Sequence, residues 1–273
     1  PESTTATAEL VVPRSMPIYL LTRPSCPKQH SRKTQNSPNR VIHIIDRCPI
    51  DRHNARMRCV VTAGPTFEPL DEVRRLTNFS TGRLGTEMAN HLSDAGHEVV
   101  LLLGEHATWQ GTQAGVELRR FATTEDLAAA LEELSDPGVG AVFHASAVSD
   151  FKFGKIWETN EVGERTERSC EKFSSRSGTL LAELIPTQKL IARLRDWFPQ
   201  ATIVGWKYEL SGTRDDVLAK AGRQISENHT DWCVANGRAY GEGFGLVSAN
   251  GELSHENDRT ALLTRLTRLL ETS

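Results

Sequence analysis

Short apolar runs alternate with amphipathic stretches from residue 58 to the end of the chain, and the periods are those of strand followed by helix. Residues 58–63 (RCVVTA) read as a β-rich run closed by Gly64 and Pro65. A long polar loop continues to Thr81. Met88, Ala89, Leu92 and Ala95 then fall at helical spacing within 85–95, and Gly96 follows as a stop. Residues 99–103 are apolar throughout, as in a strand buried on both faces. The three segments predict a βαβ unit with a right-handed crossover.

The alternation continues. A strand is predicted over 116–121, a helix from Thr123 or Thr124 to Leu134 with Asp126 near its positive end, and a buried strand over 140–146. Residues 151–178 lose periodicity and become charged, as expected of an exposed strap or β-arm. Beyond it the pattern predicts a strand over 179–184 and a helix over 187–197 with Pro186 in its first turn. A strand at 201–206, a helix at 213–227 and a strand at 232–235 follow. A hairpin turning at Asn250-Gly251 comes next, then a last helix capped by Asn257 or Asp258, with Leu262, Leu263, Leu266, Leu269 and Leu270 in one stripe. Five or more buried strands separated by helices give an α/β fold with a Rossmann-like, doubly wound, mostly parallel sheet and a strap insertion.

Residues 1–56 do not fit this pattern. They hold nine Lys and Arg against four Asp and Glu, many Pro, Ser, Thr and Asn, and little periodicity. Such a segment buries too little surface to offset its ordering entropy. It is expected to be a disordered tail, a transit peptide or an upstream extension that is not native, with Met57 as the start; residues 57–273 form the expected domain.

Composition narrows the chemistry. A net charge of −3 argues against a general nucleic-acid binder, and no apolar run is long enough to span a membrane. Five scattered cysteines without a CxxC pair read as reduced thiols of a cytoplasmic protein, and no His/Cys spacing suits a metal site.

In doubly wound sheets, ligands bind beyond the carboxyl ends of the strands. The richest such loop is 64–85, GPTFEPLDEVRRLTNFSTGRLG. Its end, Ser80-Thr81-Gly82-Arg83-Leu84-Gly85, leaves backbone amides at a helix N-terminus, where a phosphate can bind; the same glycines could instead pack helix on sheet. Neither GxGxxG nor GxxxxGK[ST] is present, and no acid closes the second strand, which disfavours nicotinamide and P-loop chemistry. Past the strand at 140–146, Asp150 can hold a ribose hydroxyl or, through water, magnesium, or merely cap a turn. Trp206 offers a stacking face or fills the core, and Asn236 ends a buried strand at the same edge.

These loops, in this order, resemble the phosphopantothenate–cysteine ligase family, found as the C-terminal half of bifunctional pantothenate flavoproteins and as free-standing enzymes. The match runs through Val61-Thr62-Ala63-Gly64-Pro65-Thr66, the segment from Val73 to Gly85, Ala145-Ser146-Ala147-Val148-Ser149-Asp150, Gly205-Trp206-Lys207-Tyr208-Glu209 and Val234-Ala235-Asn236. It covers about residues 57–270.

The resemblance implies a ligase that joins phosphopantothenate to cysteine through an acyl-nucleotide, with ATP or CTP as substrate, magnesium on the phosphates, and a homodimer. Nucleotide contacts are implied for Gly64, Ser80, Thr81, Gly82, Gly85, Ala147, Asp150, Trp206 and Asn236. Asn78 is implied to handle the acyl-nucleotide, and Lys172 to lie on a mobile segment closing over the phosphates. Gln224 and Asn228 stand where bacterial bifunctional enzymes carry lysines, which leans the nucleotide toward ATP. Nothing in residues 1–56 resembles a flavin-binding half, so no FMN is expected. A nicotinamide oxidoreductase and an inactive nucleotide-binding module are the alternatives on sequence.

Overall fold

The computed structural model describes residues 56–160, 162–169, 173 and 178–271. Residues 1–55 and Lys172 therefore lie outside the described residues. The strands β1 (Arg58–Ala63), β4 (Glu98–Gly104), β5 (Glu117–Phe121), β6 (Val139–His144), β10 (Thr202–Tyr208) and β11 (Trp232–Asn236) run parallel, and β12 (Phe244–Ser248) and β13 (Leu253–Glu256) add an antiparallel edge. The order across the sheet is β13-β12-β11-β10-β6-β1-β4-β5.

The period-2 alternation of the central strands supplies both faces. Cys59, Val61 and Ala63 of β1 pack with α1 (Arg83–Asp94) and α5 (Arg259–Glu271), whereas Val60 packs with α2 (Thr124–Glu133) and α3 (Leu194–Trp197). The helix α4 (Arg214–Asn228) covers Cys233 and Ala235 of β11. This is the Rossmann-like α/β sandwich expected. Met88, Ala89 and Leu92 of α1 are fully buried, so truncating Leu92 to Ala would cost about 2–5 kcal/mol.

Local chemistry sets the helix ends. Thr123 and Asp126 form a reciprocal capping box at α2, as do Thr213 and Asp216 at α4. Asp258 accepts the Ala261 N–H at 2.8 Å at the start of α5. Gly96, at φ 92°, closes α1 with its N–H donated to Ser93 O.

Three expectations need correction. The helix expected over 187–197 is a 3-10 turn at Leu190–Arg193 followed by the four residues of α3, and Pro186 ends strand β9 (Thr179–Pro186) instead of opening a helix. The cause is local: Thr187 donates its N–H to Asp150 O and its hydroxyl to Ser149 O, so residues 187–189 are tied to another loop. The strand expected over 179–184 belongs not to the core sheet but to a three-stranded antiparallel arm, β8-β7-β9, with β7 at Phe151–Thr159 and β8 at Arg165–Arg168. Its outer strands β8 and β9 are largely exposed and its central strand β7 is mostly half-buried, so neither face imposes an apolar alternation. The polar loop after β1 contains a small hairpin, β2 (Phe67–Pro69) and β3 (Arg75–Thr77).

Candidate active site

From β1 the chain winds outward to β4 and β5, and then returns to β6 on the other side of β1 and proceeds to β10 and β11. The winding reverses between β1 and β6, and the loops leaving those two strands form the crevice where such sheets bind ligands. The loops stay paired after the strands end. Ala147 donates its N–H to Gly64 O at 3.0 Å, and Thr66 donates its N–H to Ala147 O at 3.2 Å. Beneath them the Thr66 hydroxyl donates to Ser149 Oγ at 3.0 Å and accepts the Ser149 N–H at 2.8 Å, in a fully buried network. Ala147 thus serves the site through its backbone, which holds the two loops at fixed spacing.

The start of α1 is built for close backbone approach. Gly82 precedes the helix at φ 76°, with no side-chain cap and no acid in the first turn. A Cβ on Gly82 would stand 2.8 Å from Ala107 Cβ, and one on Gly64 (φ 82°) would stand 3.0 Å from the same atom. Thr81 Oγ1 accepts the Arg83 N–H at 3.3 Å, Thr81 O accepts the Trp109 N–H at 3.0 Å, and Ser80 stands half-buried beside it. Gly85 has a different task. A Cβ there would lie 2.6 Å from Ala63 Cβ and 2.9 Å from Thr62 O, so this glycine brings helix onto strand.

Asn78 is exposed and spans the crevice, its Nδ2 donating to Ala147 O at 3.1 Å and Val148 O at 3.2 Å. Both amide hydrogens are thereby engaged by the loop after β6. Donation to a ligand carbonyl requires exchanging one of these partners.

On the β6–β10 side lies a cleft of about 190 Å³ lined by His144, Ser146, Asp150, Lys189, Trp206 and Gln224, among others. A larger hollow, beside Arg195, His229 and Thr230, sits at the opposite ends of the strands and apart from these loops. In the cleft, Asp150 forms an exposed ion pair with Lys189. Thr62 Oγ1 accepts the Ser146 N–H at 3.2 Å and lies 3.0 Å from His144 Nδ1, an arrangement that suits neutral His144 protonated on Nε2. Burial lowers the pKa of His144 to about 4.

Three buried polar atoms at the ends of successive strands have no hydrogen-bond partner among the described residues: Ser146 Oγ, Trp206 Nε1 and Asn236 Oδ1. Leaving such an atom unpaired costs about 1–3 kcal/mol, so a ligand that supplies partners gains accordingly. Trp206 packs on the core and also lines the cleft.

Residues 55–268 match the family described as the DNA/pantothenate metabolism flavoprotein C-terminal domain. The chain belongs to that family. A coenzyme A biosynthesis bifunctional protein CoaBC of Thermococcus kodakarensis is 30% identical over 180 residues, which are 66% of this chain and 41% of the relative. The CoaBC protein of Mycobacterium tuberculosis H37Rv is 28% identical over 211 residues, 75% of this chain and 49% of that one. The chain thus spans less than half the length of these two curated relatives. The fold is shared with the DNA/pantothenate metabolism flavoprotein of Streptococcus pneumoniae (TM-score 0.68, 23% identity, 80% of this chain and 99% of that one). It is also shared with a Cab2 H337A mutant in complex with phosphopantothenate-cysteine (TM-score 0.60, 18% identity, 81% and 87% coverage).

In this flavoprotein C-terminal domain the structure also brings to the cleft residues outside the expected site set, among them Gln224, which the sequence marked only as a lysine replacement. Lys189 meets Asp150 because the segment after β9 folds back onto the β6 loop. Gln224 reaches the cleft from α4, and Gly205 makes room, since a Cβ there would lie 2.6 Å from Gln224 Nε2. Asn228 instead donates to Gln224 O at 2.7 Å, within the helix end. Helical spacing places positions 224 and 228 on one face, and that signal was available. No sequence signal marked Asp71 and Arg74 of the β2–β3 hairpin as the anchor of Phe173, the residue after Lys172.

Among the described residues no three His, Cys, Asp or Glu side chains converge on a metal position, and no helix is long and apolar enough to cross a membrane.

Proposed function

We propose that this chain joins 4′-phosphopantothenate to cysteine at the expense of a nucleoside triphosphate, a step of coenzyme A biosynthesis. The observation that carries the reading is the crevice between β1 and β6. Its glycine-lined helix start faces Asn78 on one side and, on the other, a cleft with two unpartnered polar atoms, Ser146 Oγ and Trp206 Nε1. A triphosphate laid over the α1 N-terminus gains from the backbone amides and the helix dipole. Its nucleoside then extends toward Asp150 and Trp206, whose carboxylate and indole suit a ribose hydroxyl and a base.

The reaction balances in two steps. A substrate carboxylate oxygen attacks the α-phosphorus, forming the acyl–phosphate bond and expelling pyrophosphate. The cysteine amine then attacks the acyl carbon, the carbon–oxygen bond to the nucleoside monophosphate breaks, and the amine loses a proton. Such chemistry asks the protein for alignment and for compensation of growing negative charge. Gly64, Ser80, Thr81 and Gly82 would border the phosphates, Asn78 the acyl carbonyl, and Lys172 the closing strap. Gly85 and Ala147 would act through the backbone geometry they impose.

A magnesium ion bound to the nucleotide would neutralise phosphate charge. Asp150 would touch its water shell. The neutral Gln224 and Asn228, standing where the resembling bacterial enzymes carry lysines, lean the reading toward ATP, and Gln224 lines the cleft. Homodimeric assembly and a cytoplasmic location complete the proposal.

The test is incubation with phosphopantothenate, cysteine, magnesium and either ATP or CTP. Pyrophosphate release that requires phosphopantothenate, with amide product that requires cysteine, supports the reading. Absence of both with either nucleotide overturns it.

A further inference from the structure

On the side of the crevice away from Trp206 stands a group that the reaction above leaves unused. Arg75 of β3 stacks its guanidinium over the Phe67 ring, 5.0 Å from the centroid. His106, in the turn after β4, lies 4.8 Å from the same ring, centroid to centroid, and its Nε2 is in hydrogen-bonding contact with Arg75 Nη1. No carboxylate stands within ion-pair distance of either residue among the described residues, although 16 other ion pairs are formed.

The position of this group is defined. His106 is followed by Ala107, the residue against which both Gly64 and Gly82 are packed. Phe67 lies three residues past Gly64, and Arg75 three residues before Asn78. The pair therefore flanks the α1 N-terminus on the β4 side, opposite the cleft of Trp206 and Gln224. A guanidinium seated over an aromatic ring, with one Nη against His106, is already positioned and loses little entropy on engaging an anion with its remaining N–H groups. An imidazole beside it adds a further donor.

We propose that Arg75 and His106 form a phosphate subsite that extends the helix N-terminus, on the reading that the crevice binds nucleotide and phosphopantothenate. A chain of phosphates anchored at Gly82, with its nucleoside toward Trp206, would direct its terminal phosphates to this pair. Two substrate groups share the required chemistry: the β,γ-diphosphate of the nucleotide, which departs as pyrophosphate, and the phosphomonoester of the acid substrate. Arg75 recognises either by a bidentate contact from the remaining N–H groups of the guanidinium.

The experiment is calorimetric titration of the full chain with inorganic pyrophosphate, phosphopantothenate and unphosphorylated pantothenate. It is repeated on Arg75→Ala, Arg75→Lys and the double variant Arg75→Ala/His106→Ala, with circular dichroism to verify folding. Arg75→Ala should weaken binding of one phosphorylated probe by about tenfold, Arg75→Lys should recover part of it, and pantothenate binding should not change. Loss for pyrophosphate identifies the nucleotide's terminal phosphates; loss for phosphopantothenate identifies the monoester. Unchanged binding of both probes by the folded double variant overturns the subsite, as does equal weakening toward pantothenate. Pyrophosphate release by the wild-type protein is scored separately, so failure of the ligase reading is distinguishable from failure of this one.

Discussion

The carboxylate of Asp71 accepts the backbone N–H of Phe173 at 3.2 Å, and through that bond the hairpin that leads to Asn78 holds the segment that carries Lys172. Arg74 completes the anchor by donating to Phe173 O at 3.0 Å, its guanidinium 5.8 Å from the Phe173 ring centroid. The Arg74 side chain, followed by the backbone N–H groups of Val73, Phe173 and Arg74, holds the Asp71 carboxyl well below the usual carboxylate range. A depressed carboxyl contributes stability above its unfolded pKa and loses it only as pH falls through the folded one, so this anchor persists at every pH above about 4. Asp71→Asn should accelerate tryptic cleavage at Lys172 and lower turnover several-fold, with folding retained. Unchanged proteolysis would detach the anchor from the strap.

Lys172→Ala should lower turnover by an order of magnitude or more if the strap brings its ammonium to the reacting phosphates. Wild-type kinetics in this variant would make Lys172 a solvated lysine and remove it from the site.

His144 gives a pH prediction with a definite sign. Its folded pKa is lowered by burial to about 4, below the ordinary imidazole value, so the unfolded chain binds the extra proton first as pH falls. Stability should decline between about pH 6.5 and 4 at up to about 1.4 kcal/mol per pH unit, and this contribution should level off below pH 4. His144→Gln keeps a polar partner for Thr62 and cannot titrate. Its denaturant-melting profile should be flatter by that slope over this window; an unaltered slope would assign the acid limb to other groups.

The glycines of the 80–85 segment should separate by function. Gly82→Ala meets a positive φ and Ala107, costs about 1–2 kcal/mol, and should weaken nucleotide binding at the helix start. Gly85→Ala drives a methyl into Ala63 and the Thr62 carbonyl, so its main effect should be a melting temperature lower by several degrees. Equal effects of the two on affinity and melting would reject the division.

The core sheet was legible because its central strands are buried on both faces and two of its helices open on capping boxes, at Thr123 and Thr213. The β7–β9 arm was legible only as a loss of pattern, since exposed and half-buried ribbons are under no alternation constraint. Pro186 misled for a physical reason: an imino acid suits a strand end as well as a first helical turn, and only the long-range bonds of Thr187 decide between them. The glycine loop, Asp150, Trp206 and Asn236 could be named because each lies in or just past the carboxyl-terminal part of a strand, at one edge of the sheet. Lys189, His106 and Arg75 could not, because their roles depend on which loops fold back together.

Asn78 remains the sharpest test. Its amide bridges to Ala147 O and Val148 O, so it is already a structural tie between the hairpin and the β6 loop. The proposed mechanism asks one of those N–H groups to turn to the acyl carbonyl, where negative charge grows as cysteine attacks. Two variants separate tie from chemistry. Asn78→Ala removes the donor without adding charge, whereas Asn78→Asp sets a carboxylate against two carbonyl oxygens. If the amide serves the intermediate, both variants should melt within a few degrees of wild type and bind nucleotide. Both should lose roughly 10²-fold in amide formation, and acyl-nucleotide should accumulate when cysteine is supplied. If Asn78 is a tie alone, Asn78→Asp should melt lower than Asn78→Ala, because of the new repulsion, while turnover per folded molecule stays intact in both. Rapid-quench measurement of acyl-nucleotide and amide, alongside thermal melts, decides between the two.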